Sequence, residues 1–176
     1  MCRLHPSERT AAQIGMIVRG LQVVLGTFSD YPLDTQTALA KFSYLEIIEP
    51  GRLVMKKGDR PLRFHIIIVG RALVTEVTTL PTGKENIQMR GVLSRGETFG
   101  DEHACFLHAG GDIHSGANFM PRKHTIISQK EMHTLTLDAE DYLAIFHPGL
   151  YIVRNKLKYR ILISYVFLVK FLMIFL

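Results

Sequence analysis

The chain is poor in cysteine. Cys2 and Cys105 are the only two among 176 residues, too few for a disulfide framework. The opening "MCRLHPSERTAAQ" has no hydrophobic run of the kind a secretory leader carries. The expectation is a reducing, intracellular setting, the cytosol. Cysteine, not glycine, follows Met1, which excludes N-myristoylation. Signatures of catalysis are missing as well. There is no Gly-x-x-x-x-Gly-Lys-Ser/Thr loop, and "LHAGG" and "SGANF" lack the strand-turn-helix setting of a nucleophile elbow. No enzyme is expected. The chain also lacks internal repeats and low-complexity linkers.

What remains is globular. With 47% hydrophobic and 21% charged residues the composition is not that of a disordered chain, and the length suits one domain with a real core. The net charge of +5 is spread along the sequence. Such a balance keeps a surface solvated, and no nucleic-acid partner is expected.

Apolar residues at helical spacing, Ile14, Ile17, Val18, Leu21, Val24 and Leu25, predict a helix over residues 8–25 that stops at Gly26. A second helix follows in "LDTQTALAKFSYLEII", with Asp34 as N-cap and Leu39 and Phe42 facing inward. From Glu46 the pattern becomes β-rich runs broken by Pro-Gly, Gly-Asp and Pro-Thr-Gly, the mark of an antiparallel sandwich or barrel. "FHIIIV" (64–69) reads as a central strand buried on both faces. "RALVTEV" (71–77) alternates and reads as half-exposed, and "PTGKEN" (81–86) as a hairpin turn. Residues 123–138 supply two more strands with Ile126, Leu135 and Leu137 inward. "DAEDYLAIF" then begins a helix, with Asp138 at the N-cap and Asp141 at N3 in the manner of a capping box. The order is two helices, about eight strands, then helices.

The C-terminal run "ILISYVFLVKFLMIFL" (161–176) is apolar apart from Ser164 and Lys170. It is slightly short for a membrane span, though Lys156, Lys158 and Arg160 precede it as anchors would. Three readings stand open: a helix docked on the domain's own core, a tail anchor or interfacial helix, and an aberrant exposed end. The first is favoured over membrane contact.

"EPGRLVMKKGD" (49–59), "FHIIIVGRALVTEV" (64–77), "LSRGETFGDE" (93–102) and "PRKHTII" (121–127) together resemble, in order, the signature of the cyclic nucleotide-binding domain family. Gly51, Gly58, Asp59, Gly70, Gly96, Phe99, Gly100, Pro121, Arg122, Thr125 and Ile126 carry the match, which spans roughly residues 40–146. The resemblance implies a mainly β fold, an antiparallel β-roll or jelly roll with N-terminal helices and a C-terminal helical lid. It divides the chain into a helical lead-in (1–40), a β-roll with its phosphate-binding cassette (41–146), and a C-terminal helix with the apolar tail (147–176).

It also implies a ligand, cAMP or with less support cGMP, and a regulatory output through an unknown protein partner. A cyclic phosphodiester needs a donor that cannot lose its proton on burial, and Arg122 stands at the family arginine. N–H groups after Phe99 and Gly100 would add donors. The family's ribose carboxylate maps onto Asp101 by position or onto Glu102 by its spacing to Ala104, and both stay open. His103, Lys123 and Thr125 complete the implied set. Two departures weaken it: the run "HAGGDIHSGANFM" lengthens the path from Asp101 to Arg122, and Lys123 and His124 stand where the family has small residues. A degenerate fold that binds no nucleotide and serves as a structural, protein- or membrane-interaction module is therefore the alternative. Tyr151, Leu157 and Tyr159 lie where the family's lid contacts the base, though a plain core reading suits them better. His103, Cys105, His108, His114 and His124 are metal-ligand types, but their spacing matches no zinc pattern and no metal is expected.

Overall fold

The computed structural model describes residues 5–79, 82–101 and 121–148. Helix α1, Ala11–Val24, begins at a capping box: the Thr10 side chain accepts from the Gln13 N–H, and the Gln13 side chain accepts from the Thr10 N–H. A 3-10 turn, Gly26–Asp30, leads to α2, Leu33–Phe42. This second helix starts one residue before Asp34, with Pro32 at its N-cap, so Asp34 sits in the first turn, where its charge suits the helix dipole. Its buried stripe is Gln36, Leu39 and Ala40. Phe42 falls off that stripe and is 38% exposed, contrary to the inward placement expected for it.

Eight strands are found among the described residues: β1 Tyr44–Ile48, β2 Leu53–Met55, β3 Arg63–Val69, β4 Ala72–Thr79, β5 Glu85–Leu93, β6 Thr98–Phe99, β7 Thr125–Ser128 and β8 Met132–Asp138. They form two antiparallel four-stranded sheets, in the orders β1-β8-β3-β6 and β2-β7-β4-β5. Helix α3, Ala139–Phe146, follows β8 directly. Asp138 does occupy its N-cap, but makes no capping bond; its carboxylate is instead hydrogen-bonded by the Tyr44 side chain.

The apolar run of β3 is central because both of its faces are used. Phe64 and Ile66 turn outward to a core shared with Leu135, Leu137 and the helices, while Ile67 turns inward to a second core with Phe99, Ile126 and Met132. Alternate side chains on a strand point to opposite faces, so one sequence run serves two cores. Aromatic contacts tie α3 down: Tyr142 lies 4.4 Å from Phe64 and 5.0 Å from Phe146, and Phe146 lies 5.7 Å from Tyr31. The register of β4 against β5 shifts between Val74 and Thr75, where β5 carries Arg90 as the extra residue, while β4 pairs with β7 without a break. On the outer face of the second sheet, Leu53, Ile127, Leu73 and Val92 stand in register across all four strands. Leu53 and Val92 are exposed there, as are Ile87 and Met89 further along β5. Among the described residues no helix is long and apolar enough to cross a membrane; the apolar run 161–176 lies outside them.

Between β3 and β4 the chain turns at Gly70 with φ +93, and a Cβ there would lie 2.4 Å from the Glu131 carbonyl oxygen. Gly58 has nearly the same φ, +92, but open space around it. Gly58→Ala should cost about 1–2 kcal/mol, the left-handed penalty alone. Gly70→Ala should cost about 1–3 kcal/mol more, for the overlap. Urea denaturation of the two variants checks the order; equal losses would mean the Gly70 contact is not tight.

Candidate functional site

Backbone pairing places Arg122 before its side chain does anything. Its N–H donates to the Asp59 carbonyl at 2.9 Å, and the Gly58 N–H donates to the Arg122 carbonyl at 2.9 Å. The entry to β7 is thereby fastened to the Gly-Asp turn before β3. The side chain then runs inward until the residue is only 3% exposed, and Nη2 donates to the Arg63 carbonyl at 2.7 Å. Gly100, just after β6, comes to the same place with φ +96. A Cβ at Gly100 would stand 2.4 Å from the Arg63 oxygen and 3.0 Å from Arg122 Nη1. The glycine is required by both backbone conformation and the close approach of the guanidinium.

Arg122 lines a cavity of about 660 Å³, within the usual range for small-molecule sites. Its described walls carry more charge than such sites usually do. Four arginines, Arg52, Arg60, Arg63 and Arg122, face three carboxylates, Glu46, Glu49 and Asp59. A positive excess in a concave, partly buried space favours an anionic ligand.

The other buried polar residue on the wall is His65, 3% exposed. Its ring stacks on Phe99 with centroids 4.6 Å apart and planes at 14°. Nδ1 lies 3.0 Å from Thr136 Oγ1, and the Thr136 hydroxyl donates to Glu46 Oε2 at 3.2 Å. Burial first, then the positive charges of Arg122 and Arg63, push the imidazole pKa down to about 3. The Glu46 carboxylate, 3.9 Å away, pulls in the opposite direction and does not prevail over the burial. The ring is neutral at physiological pH.

The residues expected from sequence fall into three groups. Arg122, Phe99 and Gly100 converge as described. Lys123 and Asp101 are exposed nearby. Thr125 is buried with its hydroxyl accepting the Lys57 N–H at 3.0 Å and its carbonyl accepting from Thr75 Oγ1 at 3.3 Å; these bonds tie β7 to its neighbours. Glu102, His103 and Ala104 lie outside the described residues, as do Cys105, His108, His114, Tyr151, Leu157 and Tyr159. Among the described residues no group of three potential metal ligands is assembled. His124 is partly buried, and its Nδ1 is fully enclosed without a hydrogen bond. Sequence reasoning missed His65, Glu46 and Thr136. The signal was present: a histidine interrupts an otherwise apolar run, "FHIIIV".

No family model matches the chain. Solved structures resemble it at low sequence identity. The regulatory domain of Toxoplasma gondii PKA, co-crystallised with cAMP, superposes with a TM-score of 0.59 at 14% identity, covering 84% of this chain and 50% of that one. PKAR CBD2 bound to Sp-2Cl-cAMPS gives 0.56 at 20% identity, covering 89% and 92%. The regulatory subunit of a cAMP-independent protein kinase A from Trypanosoma cruzi, bound to guanosine, gives 0.55 at 14% identity, covering 82% and 45%. This chain thus spans half the length of the Toxoplasma chain. It has the fold of cyclic nucleotide-binding domains, a mainly β roll with flanking helices.

The neutral His65 has a thermodynamic signature. Between its ordinary pKa of 6.5 and the folded value of about 3, the unfolded chain binds a proton that the folded chain does not. Stability contributed by this residue is therefore lost as pH falls through that window, with a slope of at most about 1.4 kcal/mol per pH unit. In His65→Phe that component disappears, so the unmodified chain should lose stability relative to the variant on acidification from pH 7 to pH 4. Urea unfolding at stepped pH measures it; parallel pH profiles would contradict the depressed pKa.

Proposed function

We propose that this chain is a cyclic nucleotide-binding regulatory module, taking cAMP in preference to cGMP, carrying out no chemistry and acting through a protein partner. The carrying observation is Arg122: a permanently charged guanidinium, almost wholly buried, on the wall of a cavity large enough for a nucleotide. Burying such a group is costly unless an anion or hydrogen-bond acceptors meet it. The β-roll supports the same reading, since compared structures with this fold hold cAMP, a cAMP analogue or a nucleoside. On this reading Phe99 and Gly100 shape the phosphate seat. Asp101 or Glu102 meets the ribose, with His103, Ala104, Lys123 and Thr125 around them. Ligand binding would bias a two-state arrangement of the helices against the roll. The setting proposed is the cytosol.

A second reading is favoured by a different observation. The apolar ladder on the outer face of the second sheet, from Leu53 to Val92, is a surface of the kind that meets other proteins. A chain of this fold that has lost its nucleotide would still present that face as an interaction module.

Titration calorimetry of the full chain with cAMP, cGMP and guanosine separates the two. The first reading expects micromolar or tighter cAMP binding, weaker guanosine binding because the phosphate is absent, and a loss in Arg122→Ala of about 2–5 kcal/mol. That loss is at least about 30-fold in Kd. Arg122→Lys, which keeps the charge but not the planar fork, should fall between. Silence at millimolar concentrations of all three ligands would leave only the interaction module.

A further inference from the structure

Strand β6 is only two residues long, Thr98–Phe99, yet it delivers Gly100 to the guanidinium of Arg122. The turn before it is fastened by two backbone bonds, Gly96 N–H to the Ile67 carbonyl at 2.8 Å and Ile67 N–H to the Glu97 carbonyl at 3.0 Å. At Phe99 itself the residue directly opposite is His65. Their rings lie nearly parallel, with planes at 14° and centroids 4.6 Å apart. Packing in the inner core with Ile67, Ile126 and Met132 buries Phe99, but aliphatic neighbours do not fix a ring plane. A cross-strand aromatic pair does.

The His65 ring is held in turn from β8 and β1. Thr136 has one hydroxyl proton, which goes to Glu46 Oε2 at 3.2 Å. Its oxygen then accepts from the Thr134 hydroxyl and from His65 Nδ1, each at 3.0 Å. Strand register explains the meeting: Thr136 is opposite His65 on β3 and opposite Tyr44, two residues before Glu46, on β1. Glu46 reaches the same place by a second route. Its other oxygen lies 3.7 Å from Arg63 Nη1, and the Arg63 carbonyl accepts from Arg122 Nη2. One path runs through Thr136, His65 and Phe99 to Gly100, the other through Arg63, and both end at the Arg122 guanidinium.

We propose that His65 is a positioning residue for the phosphate seat: its ring, locked by Thr136 and Glu46, holds Phe99 and so keeps Gly100 against Arg122 before any ligand arrives. The ligand is that of the cyclic-nucleotide reading above, on which its affinity rests; the ordering of Gly100 is a property of the chain alone. Neither His65 nor Thr136 has to touch the nucleotide. An imidazole suits the position because its N–H fixes its plane, which a phenyl ring cannot do, and because in the neutral form it adds no charge beside the arginines. A seat that is formed only part of the time lowers apparent affinity by that fraction.

The test titrates cAMP into the full chain, unmodified and as His65→Ala, His65→Phe, Thr136→Val and the His65→Phe/Thr136→Val double variant. His65→Ala removes the stack and should weaken binding about 10-fold. His65→Phe and Thr136→Val each keep a ring on Phe99 but lose its hydrogen-bonded plane. Each should cost about 3-fold, and the double variant no more than either alone, because Thr136 acts through His65. Both fill the core, so they carry the comparison if His65→Ala does not fold. Full affinity in His65→Ala, or losses that add in the double variant, overturns the proposal and leaves the cyclic-nucleotide reading standing.

The second measurement needs no ligand. In the ¹⁵N-labelled chain the Gly100 amide should have a rigid order parameter, lowered in His65→Ala and largely restored in His65→Phe, while the amide of Gly70, beyond the far end of β3, stays rigid throughout. If cAMP at millimolar concentration does not bind the unmodified chain, the cyclic-nucleotide reading falls, and the Gly100 amide still decides the role of His65. A Gly100 amide as rigid in His65→Ala as in the unmodified chain overturns it.

Discussion

A guanidinium cannot shed its proton, so burying one at Arg122 dictates the chemistry of everything near it. The Arg63 carbonyl is aimed at it, Gly100 has no side chain to obstruct it, and the histidine two residues along β3 stays neutral. The first two answer one buried positive charge; the neutrality of His65 comes first from its own burial, and the arginines add to it. Reverse any of them and the site becomes worse: a Cβ at Gly100 collides, and a protonated His65 repels. The backbone pairing of Arg122 with Gly58 and Asp59 makes the burial sustainable, because the side chain does not have to hold its own strand in place.

That arrangement is affordable only because stability comes from elsewhere. The larger core, with Phe28, Leu39, Phe64, Leu135, Leu137 and Leu143, lies between the first sheet and the helices. The smaller core inside the roll is interrupted by polar groups: His65, Thr134 and Thr136 are buried beside Ile67 and Met132. Buried hydroxyls and a buried imidazole are tolerable when each has its partner, and the Glu46-Thr136-His65 chain supplies one for every member but Nε2. The polar inside is thus a feature of a roll whose outside does the packing.

Much of this was legible in the residues. Turn glycines, strand spacing and the two N-terminal helices predicted the architecture, because φ > 0 turns and hydrophobic period are local properties. Phe42 and the capping at Asp138 were misjudged, since tertiary neighbours decide both: the face that α2 buries, and the Tyr44 hydroxyl that engages Asp138. Arg122 was legible from the Pro-Arg motif. The His65 network was not, because Glu46, His65 and Thr136 are 90 residues apart at their extremes. Only the antiparallel register of β1, β8 and β3 brings them side by side. Nothing in a one-dimensional pattern links them except the oddity of a histidine in an apolar strand.

The unusual length between Asp101 and Pro121 matters less than where its two ends are held. Gly100 and Arg122, the residues flanking that stretch, meet at a single acceptor, the Arg63 carbonyl. Both ends of that stretch are thus held by contacts that belong to the roll, and adding residues to a flexible segment between fixed ends costs only about 0.6 kcal/mol for each doubling of its length. An insertion in that position leaves the guanidinium where it is. His65 is placed in the same way, by the register of β3 against β8 and not by the length of the chain between Asp101 and Pro121.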